Sequence, residues 1–199
     1  MLLNRHKICG LMSPGGIIMN HKYVLNESIT GEDLRQVRKL LNMTQKEFAV
    51  FANASKRTVE NWEMKDEPIK GPIVTLVEIL RRNPEIAGKL KLPETRMKLR
   101  LWYMYEDMVC TVIDVDELKR IVKIRNYIDD PLFRAFGKNT EPGFEDYEEF
   151  LKTRCFPETR DKIKLELKRL GIPFYDPILI IEKTEGRMAE DKFWIRIER

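Results

Sequence analysis

The stretch NMTQKEFAVFANASKRTVENWE, residues 42–63, contains the start signals of two short helices. Thr44 and Glu47 form the pattern T-x-x-E, in which the Thr side chain caps a helix and the Glu side chain reaches back to the cap. Ser55 is placed to cap a second helix, and Asn53 tolerates the left-handed backbone that a sharp turn before it requires. The side chains expected to face the core are those of Phe48, Ala49, Ala52, Val59 and Trp62. The stretch therefore predicts two helices joined by a tight turn.

Helices on either side complete the first predicted domain. Residues 30–41 form an amphipathic segment that Thr30 can cap, with acidic residues in its first turn. A further helix is predicted to begin near Pro72, because Pro suits the first turn, and to stop at Asn83. We assign residues 28–92 to an all-α domain.

The sequence period changes from 3.6 to about 2 residues after a boundary segment at 88–97. The runs LRLWYMY, MVCTVIDV and RIVKIRNY are β-branched and aromatic and are separated by acidic turns, which predicts a three-stranded antiparallel meander. DKFWIRIER is a candidate closing strand. Helices are predicted at residues 144–153, 158–170 and 176–184. The predicted fold class is α+β, with the all-α domain followed by a small α+β domain over residues 97–199.

Two helices joined by a tight turn, the second with polar side chains outward, form a helix-turn-helix arrangement. The segment TQKEFAVFANASKRTVENWE resembles the Xre/Cro-type helix-turn-helix, and its surroundings over residues 28–86 resemble the DNA-binding domains of MqsA- and HigA-type antitoxins. Asn53 stands where the family often has Gly. The cysteine pairs of the MqsA zinc domain are absent from the sequence, so that half of the comparison does not transfer.

The resemblance implies that the second helix enters the major groove of double-stranded DNA with its amino-terminal residues against base edges. Lys56, Arg57 and Asn61 then lie against base edges, where Arg can bond guanine and Asn can bond adenine. Gln45 lies at the start of the preceding helix, where backbone N–H groups and the helix dipole favour a phosphate. Thr58 contacts a phosphate or a thymine methyl, and Lys65 and Lys70 contact the DNA backbone. Ordinary solvated charges are the alternative account of Lys56 and Arg57, and Trp62 is interpreted as a core residue. The candidate DNA contacts are Gln45, Ser55, Lys56, Arg57, Thr58, Asn61, Lys65 and Lys70.

Charge, cysteine spacing and hydropathy bear on whether the protein binds nucleic acid, binds a metal or spans a membrane. Residues 28–92 carry 12 Lys and Arg against 9 Asp and Glu, which favours a nucleic-acid partner for that part. Three scattered cysteines and the lone His6-x-x-Cys9 pattern lack the spacing of a metal site, so we expect reduced thiols, no metal and no cofactor. We expect no membrane span and no signal peptide in the N-terminal extension, residues 1–27, and a cytoplasmic location.

The second predicted domain carries no recognisable catalytic set, so we expect no enzyme activity. DDPLFRAFG, RCFPETRDKIK and TEGRMAEDKFWIRIER are similar to pieces of accessory proteins from Firmicutes mobile elements. The acidic run at 145–149 is interpreted as a solvated helix face, and the basic residues at 154–169 alternate with acidic ones that can pair with them. We interpret this domain as an interaction or dimerisation module.

Three hypotheses of function remain open. The first is a sequence-specific repressor that binds a two-fold operator as a homodimer, one form of which is an autoregulating antitoxin whose second domain captures a toxin. The second is a mobile-element inhibitor of the anti-CRISPR kind with an autoregulatory helix-turn-helix head. The third is a nuclease toxin fused to a DNA-binding head.

Overall fold

The computed structural model of the 199-residue chain describes residues 23–199. The predicted features of the N-terminal extension, including His6 and Cys9, lie outside the described residues, apart from its last five positions. The chain divides into two compact units, one ending at Lys91 and the other spanning Leu92–Arg199.

The described part of the first unit, residues 23–91, contains five helices. They are α1 (Gly31–Leu40), α2 (Gln45–Phe51), α3 (Lys56–Met64), α4 (Pro72–Arg82) and α5 (Glu85–Leu90). The first four confirm the predicted helices, and α4 has Pro at its amino-terminal end, as expected. The six-residue α5 was not predicted, because it follows the predicted stop signal directly. The buried apolar core of this unit comprises Ile29, Leu34, Val37, Phe48, Ala49, Val59, Ile69, Ile73, Val74, Val77, Leu80 and Ala87.

The predicted start signals of the first three helices are confirmed. Thr30 and Thr44 each form a complete capping box with the acidic residue three positions later. The Ser55 hydroxyl accepts the backbone N–H of Thr58 at 3.0 Å, which caps α3. Asn53 adopts a left-handed backbone with φ of 50°, so it makes the turn between α2 and α3.

The second unit contains a four-stranded antiparallel sheet in the order β3-β2-β1-β4. Its strands are β1 (Leu99–Tyr105), β2 (Met108–Asp116), β3 (Ile121–Asn126) and β4 (Phe193–Glu198). The meander β1-β2-β3 is as predicted, but the three-stranded sheet is corrected to four strands, because the candidate closing strand pairs with β1. β4 follows its partner only after three helices, so local pattern could not show this pairing.

Three helices of the second unit share a hydrophobic core with this sheet. They are α6 (Phe144–Thr153), α7 (Ile163–Leu170) and α8 (Pro177–Thr184). The predicted helix at 158–170 starts five residues later than expected, since Lys162 has a left-handed φ of 62° and no helix continues through it. The shared core includes Leu101, Tyr103, Ile113, Tyr147, Phe150, Leu167, Ile180, Ile181 and Ile195.

Candidate nucleic-acid interface

A buried carboxylate near the end of α3 holds the first three helices together. Arg38 donates two hydrogen bonds to the Glu63 carboxylate, from Nε to Oε1 at 2.6 Å and from Nη2 to Oε2 at 3.0 Å. Gln45 Nε2 donates to Oε2 at 2.9 Å, and Arg35 Nε lies 3.6 Å from the same oxygen. The Glu63 side chain is only 2% exposed. Because its partners come from α1 and from the first residue of α2, this cluster fixes how α3 sits against both helices.

The opposite charges of Glu63 and Arg38 each favour the ionised form of the other. Burial by itself would raise the pKa of Glu63, but hydrogen bonds from Arg38 and Gln45 and the two nearby guanidinium charges outweigh it, so the pKa lies below its usual value. The hydrogen bond to Glu63 in turn raises the pKa of Arg38. Both groups are therefore ionised at neutral pH. Arg38 also donates from Nη1 to the carbonyl oxygen of Met43 at 3.0 Å, which holds the chain that leads into α2.

A close backbone contact joins the start of α1 to the end of α3. A Cβ added at Gly31 would lie 2.5 Å from the carbonyl oxygen of Trp62 and 3.0 Å from that of Glu63. These are backbone atoms and cannot rotate away, so only glycine allows the approach. Arg35 Nη2 donates to the carbonyl oxygen of Glu63 at 2.9 Å and so satisfies one acceptor near the end of α3.

The outward side of α3 presents four polar side chains at helical spacing. Lys56 and Glu60 form an ion pair at 2.7 Å. Arg57 and Asn61 are both exposed and lie one turn apart, so their side chains are neighbours on the same side of the helix. Within residues 23–199, the Arg57 side chain makes no ion pair or hydrogen bond. Its five N–H donors are therefore available to a ligand.

The other predicted contacts have more varied surroundings. Gln45 is half-buried and its amide nitrogen is engaged by Glu63, so in this structure it anchors α2. The Ser55 and Thr58 hydroxyls lie 2.8 Å apart at the start of α3. Lys65 and Lys70 are exposed in the loop after α3.

That loop is held by a short β-bridge. Ile29 and Ile69 exchange backbone hydrogen bonds of 3.0 and 2.8 Å. Both residues are buried in the core of the first unit. The bridge therefore fixes the backbone next to Lys70.

Sequence reasoning missed the Glu63 cluster. One signal was present, because Glu63 follows Val59 by four residues and so shares its inward side of α3. A carboxylate on a buried helix face needs a cationic partner. The local sequence does not show that Arg38 is this partner, since Arg38 lies 25 positions before Glu63 in the chain.

Residues 23–199 hold no group of three or more His, Cys, Asp or Glu side chains placed to bind a metal ion. No helix among them is long and apolar enough to cross a membrane.

Comparison with known proteins identifies a partial relative. No protein-family model matches the chain. It is 34% identical over 58 residues to antitoxin HigA-2 of Vibrio cholerae serotype O1. The match covers 29% of this chain and 56% of the relative, so the chain spans about half the length of the curated relative it matches. The similarity supports an antitoxin-like helix-turn-helix region in this protein.

Proposed function

We propose that this protein is a sequence-specific DNA-binding transcriptional regulator, and that α2 and α3 form its helix-turn-helix. The observation that carries the proposal is the geometry of α3. Its inner side is anchored through Glu63 to α1 and α2, while Arg57 and Asn61 project outward. A rigidly held helix with free polar side chains suits reading of base edges in the major groove. The partial similarity to an antitoxin agrees with a regulatory role.

The outward side chains have complementary roles in this proposal. The Arg57 guanidinium can bond two acceptors of a guanine, and the Asn61 amide can bond an adenine. Lys56 lies beside Arg57 at the base edges. Ser55 and Thr58, at the start of α3, contact the sugar-phosphate backbone, or Thr58 contacts a thymine methyl. Lys65 and Lys70 add phosphate contacts from the loop, which contribute affinity without sequence preference.

Gln45 lies at the start of α2, where the sequence predicts a phosphate contact. Its side chain, held by Glu63, fixes the first turn of α2 and leaves the backbone N–H groups there to approach a phosphate.

A repressor of this kind acts in the cytoplasm as a homodimer on a two-fold operator. One such unit covers only a half-site, and a single small module binds weakly and with strong salt dependence. We propose further that the regulator is an antitoxin that represses its own promoter, with Leu92–Arg199 as its partner-binding unit and no catalytic role.

The test is fluorescence anisotropy with duplex DNA from the region upstream of the gene, at about 150 mM salt, a concentration at which non-specific binding is weak. Arg57→Ala is expected to weaken binding by about 5- to 150-fold, because a bidentate contact contributes about 1–3 kcal/mol of discrimination. The matched control is Lys89→Ala, which removes one exposed cation of the same unit from α5.

The two variants separate specific from general effects. Equal small losses for both would mean that only overall charge matters. Binding of shuffled duplex as tight as that of the upstream duplex would contradict sequence-specific recognition by α3.

A further inference from the structure

One face of the sheet in the second unit is rich in tryptophan and arginine. Side chains alternate along each strand, and Leu101, Tyr103 and Ile195 point into the core shared with the helices. Their neighbours in β1, β3 and β4 therefore point to the opposite side. We call this side the Trp face and define it by Trp102, Met104, Lys123, Trp194 and Arg196.

Pairing between β1 and β4 brings four of these residues together, whereas Lys123 lies on β3, which β2 separates from β1. Trp102 of β1 is directly opposite Arg196 of β4, and Met104 is opposite Trp194. Side chains directly opposite in an antiparallel pair lie about 4.5–5.5 Å apart at Cβ, so the four form one contiguous surface. Trp102, Met104 and Trp194 are half-buried, whereas Arg196 and Lys123 are exposed.

The two indole rings are fixed by contacts within the unit. Trp102 Nε1 donates to Glu198 Oε2 at 2.9 Å, and Trp194 Nε1 donates to the carbonyl oxygen of Glu106 at 2.7 Å. The Arg196 guanidinium lies 5.0 Å from the centre of the Trp102 ring, and that of Arg187 lies 4.8 Å from the Trp194 ring. The polar edge of each indole is thus already satisfied, and each ring carries a guanidinium over one face.

The carboxylates on this side of the sheet already have cationic partners. Asp114 accepts two hydrogen bonds from buried Arg100, each of 2.8 Å. Glu198 is paired with Arg96 at 3.2 Å. Arg196, in contrast, makes no ion pair among residues 23–199, although its charge acts on the nearby Glu198, and Lys123 makes none with Asp114, which is directly opposite it in β2. A guanidinium stacked on an indole still has its in-plane N–H donors, a geometry that fits an incoming carboxylate.

We propose that the Trp face binds an acidic segment of a protein partner. Trp, Met and Arg are the residue types enriched in protein–protein interfaces, and Trp and Arg dominate their binding energy. A nucleic-acid partner fits less well, because residues 93–199 hold 21 Lys and Arg against 22 Asp and Glu. Surfaces that bind nucleic acids carry a strong positive charge. In addition, nucleic-acid bases stack on open aromatic rings, whereas a guanidinium covers one face of each indole here.

This inference names the partner chemistry of the proposed partner-binding unit and is independent of DNA binding by the first unit. The experiment selects random dodecapeptides from a display library on the full chain. Selected peptides are expected to be enriched in Asp and Glu. Arg196→Glu and Lys123→Glu, both at exposed positions, are each expected to weaken their binding at least tenfold. Lys138→Glu, at an exposed position outside the sheet, is the matched control and should stay within twofold of the unchanged protein.

Site-specific readout comes from the NMR signals of the indole N–H groups. An acidic peptide is expected to shift the signals of Trp102 and Trp194 and to leave that of Trp62, in the first unit, unchanged. The same spectra check that each variant is folded.

Three outcomes would overturn the proposal: selected peptides that are not acidic, binding that survives both charge reversals, or single-stranded dT12 shifting the two indole signals while the peptides do not. Including Arg57→Ala separates the two proposals. That variant should lose promoter binding and keep peptide binding, whereas Arg196→Glu should do the reverse.

Discussion

Replacing Glu63 by Gln tests whether the buried cluster stabilises the first unit. The substitution keeps the size of the side chain and removes its charge. Arg38 then keeps at most one good acceptor in place of two, and its charge is left 14% exposed without a counter-ion. Removing one partner of a buried ion pair typically costs about 3–5 kcal/mol. We expect the free energy of unfolding to fall by about 3 kcal/mol. This is the lower end of that range, because the amide oxygen of the substituted side chain still accepts one hydrogen bond from Arg38.

The assay is a urea titration followed by the NMR signal of the Trp62 indole, which reports on the first unit. With a denaturant slope of about 1 kcal/mol per molar for so small a unit, a loss of about 3 kcal/mol lowers the midpoint by roughly 3 M. Glu60→Gln is the matched control. It removes the same charge from the same helix at an exposed ion pair, and such pairs contribute about 0–1 kcal/mol.

The pH dependence provides an independent check. Since the pKa of Glu63 is lowered in the folded protein, its contribution to stability is present above the unfolded pKa and is lost as pH falls through the folded pKa. The difference in unfolding free energy between the unchanged protein and Glu63→Gln should therefore shrink in acid. A Glu63→Gln variant as stable as Glu60→Gln at neutral pH would refute the stabilising role of the cluster.

Two further predictions concern glycine and cysteine positions. Gly31→Ala should destabilise the first unit by about 1–3 kcal/mol in the same urea titration, because its Cβ meets backbone carbonyls near the end of α3. Gly88→Ala, in α5 and with open space at its Cβ, should stabilise the first unit by up to about 1 kcal/mol. Equal effects of Gly31→Ala and Gly88→Ala on the free energy of unfolding would contradict the close contact at Gly31. Burial raises the pKa of Cys155 to about 12 and also raises that of Cys110. In a Cys9→Ser variant at pH 8, a thiol reagent should therefore label neither cysteine until denaturant is added, and rapid labelling of the native protein would show that these thiols are accessible.

Much of the first unit could be predicted because its signals are local. A cap such as Thr44 bonds a backbone group three residues away, and Asn53 is a residue type that tolerates the left-handed backbone it adopts in the turn. The outward residues of α3 follow from helical spacing once Ser55 marks the start. In the second unit the alternating strands were equally readable. The later start of the helix at Ile163 was not, because nothing in the local pattern marks the left-handed backbone before it.

Sequence by itself determined α1 to α4, the turn between α2 and α3 and the residues that α3 turns outward, since each depends on neighbours within about four positions. Only the tertiary structure decided which basic residues hold Glu63, why Gly31 must be glycine, and how Trp102 and Arg196 meet across two strands. Each of these contacts joins residues far apart in the chain. Its partner is selected by packing and charge once the helices and strands have assembled, and no local pattern encodes that selection.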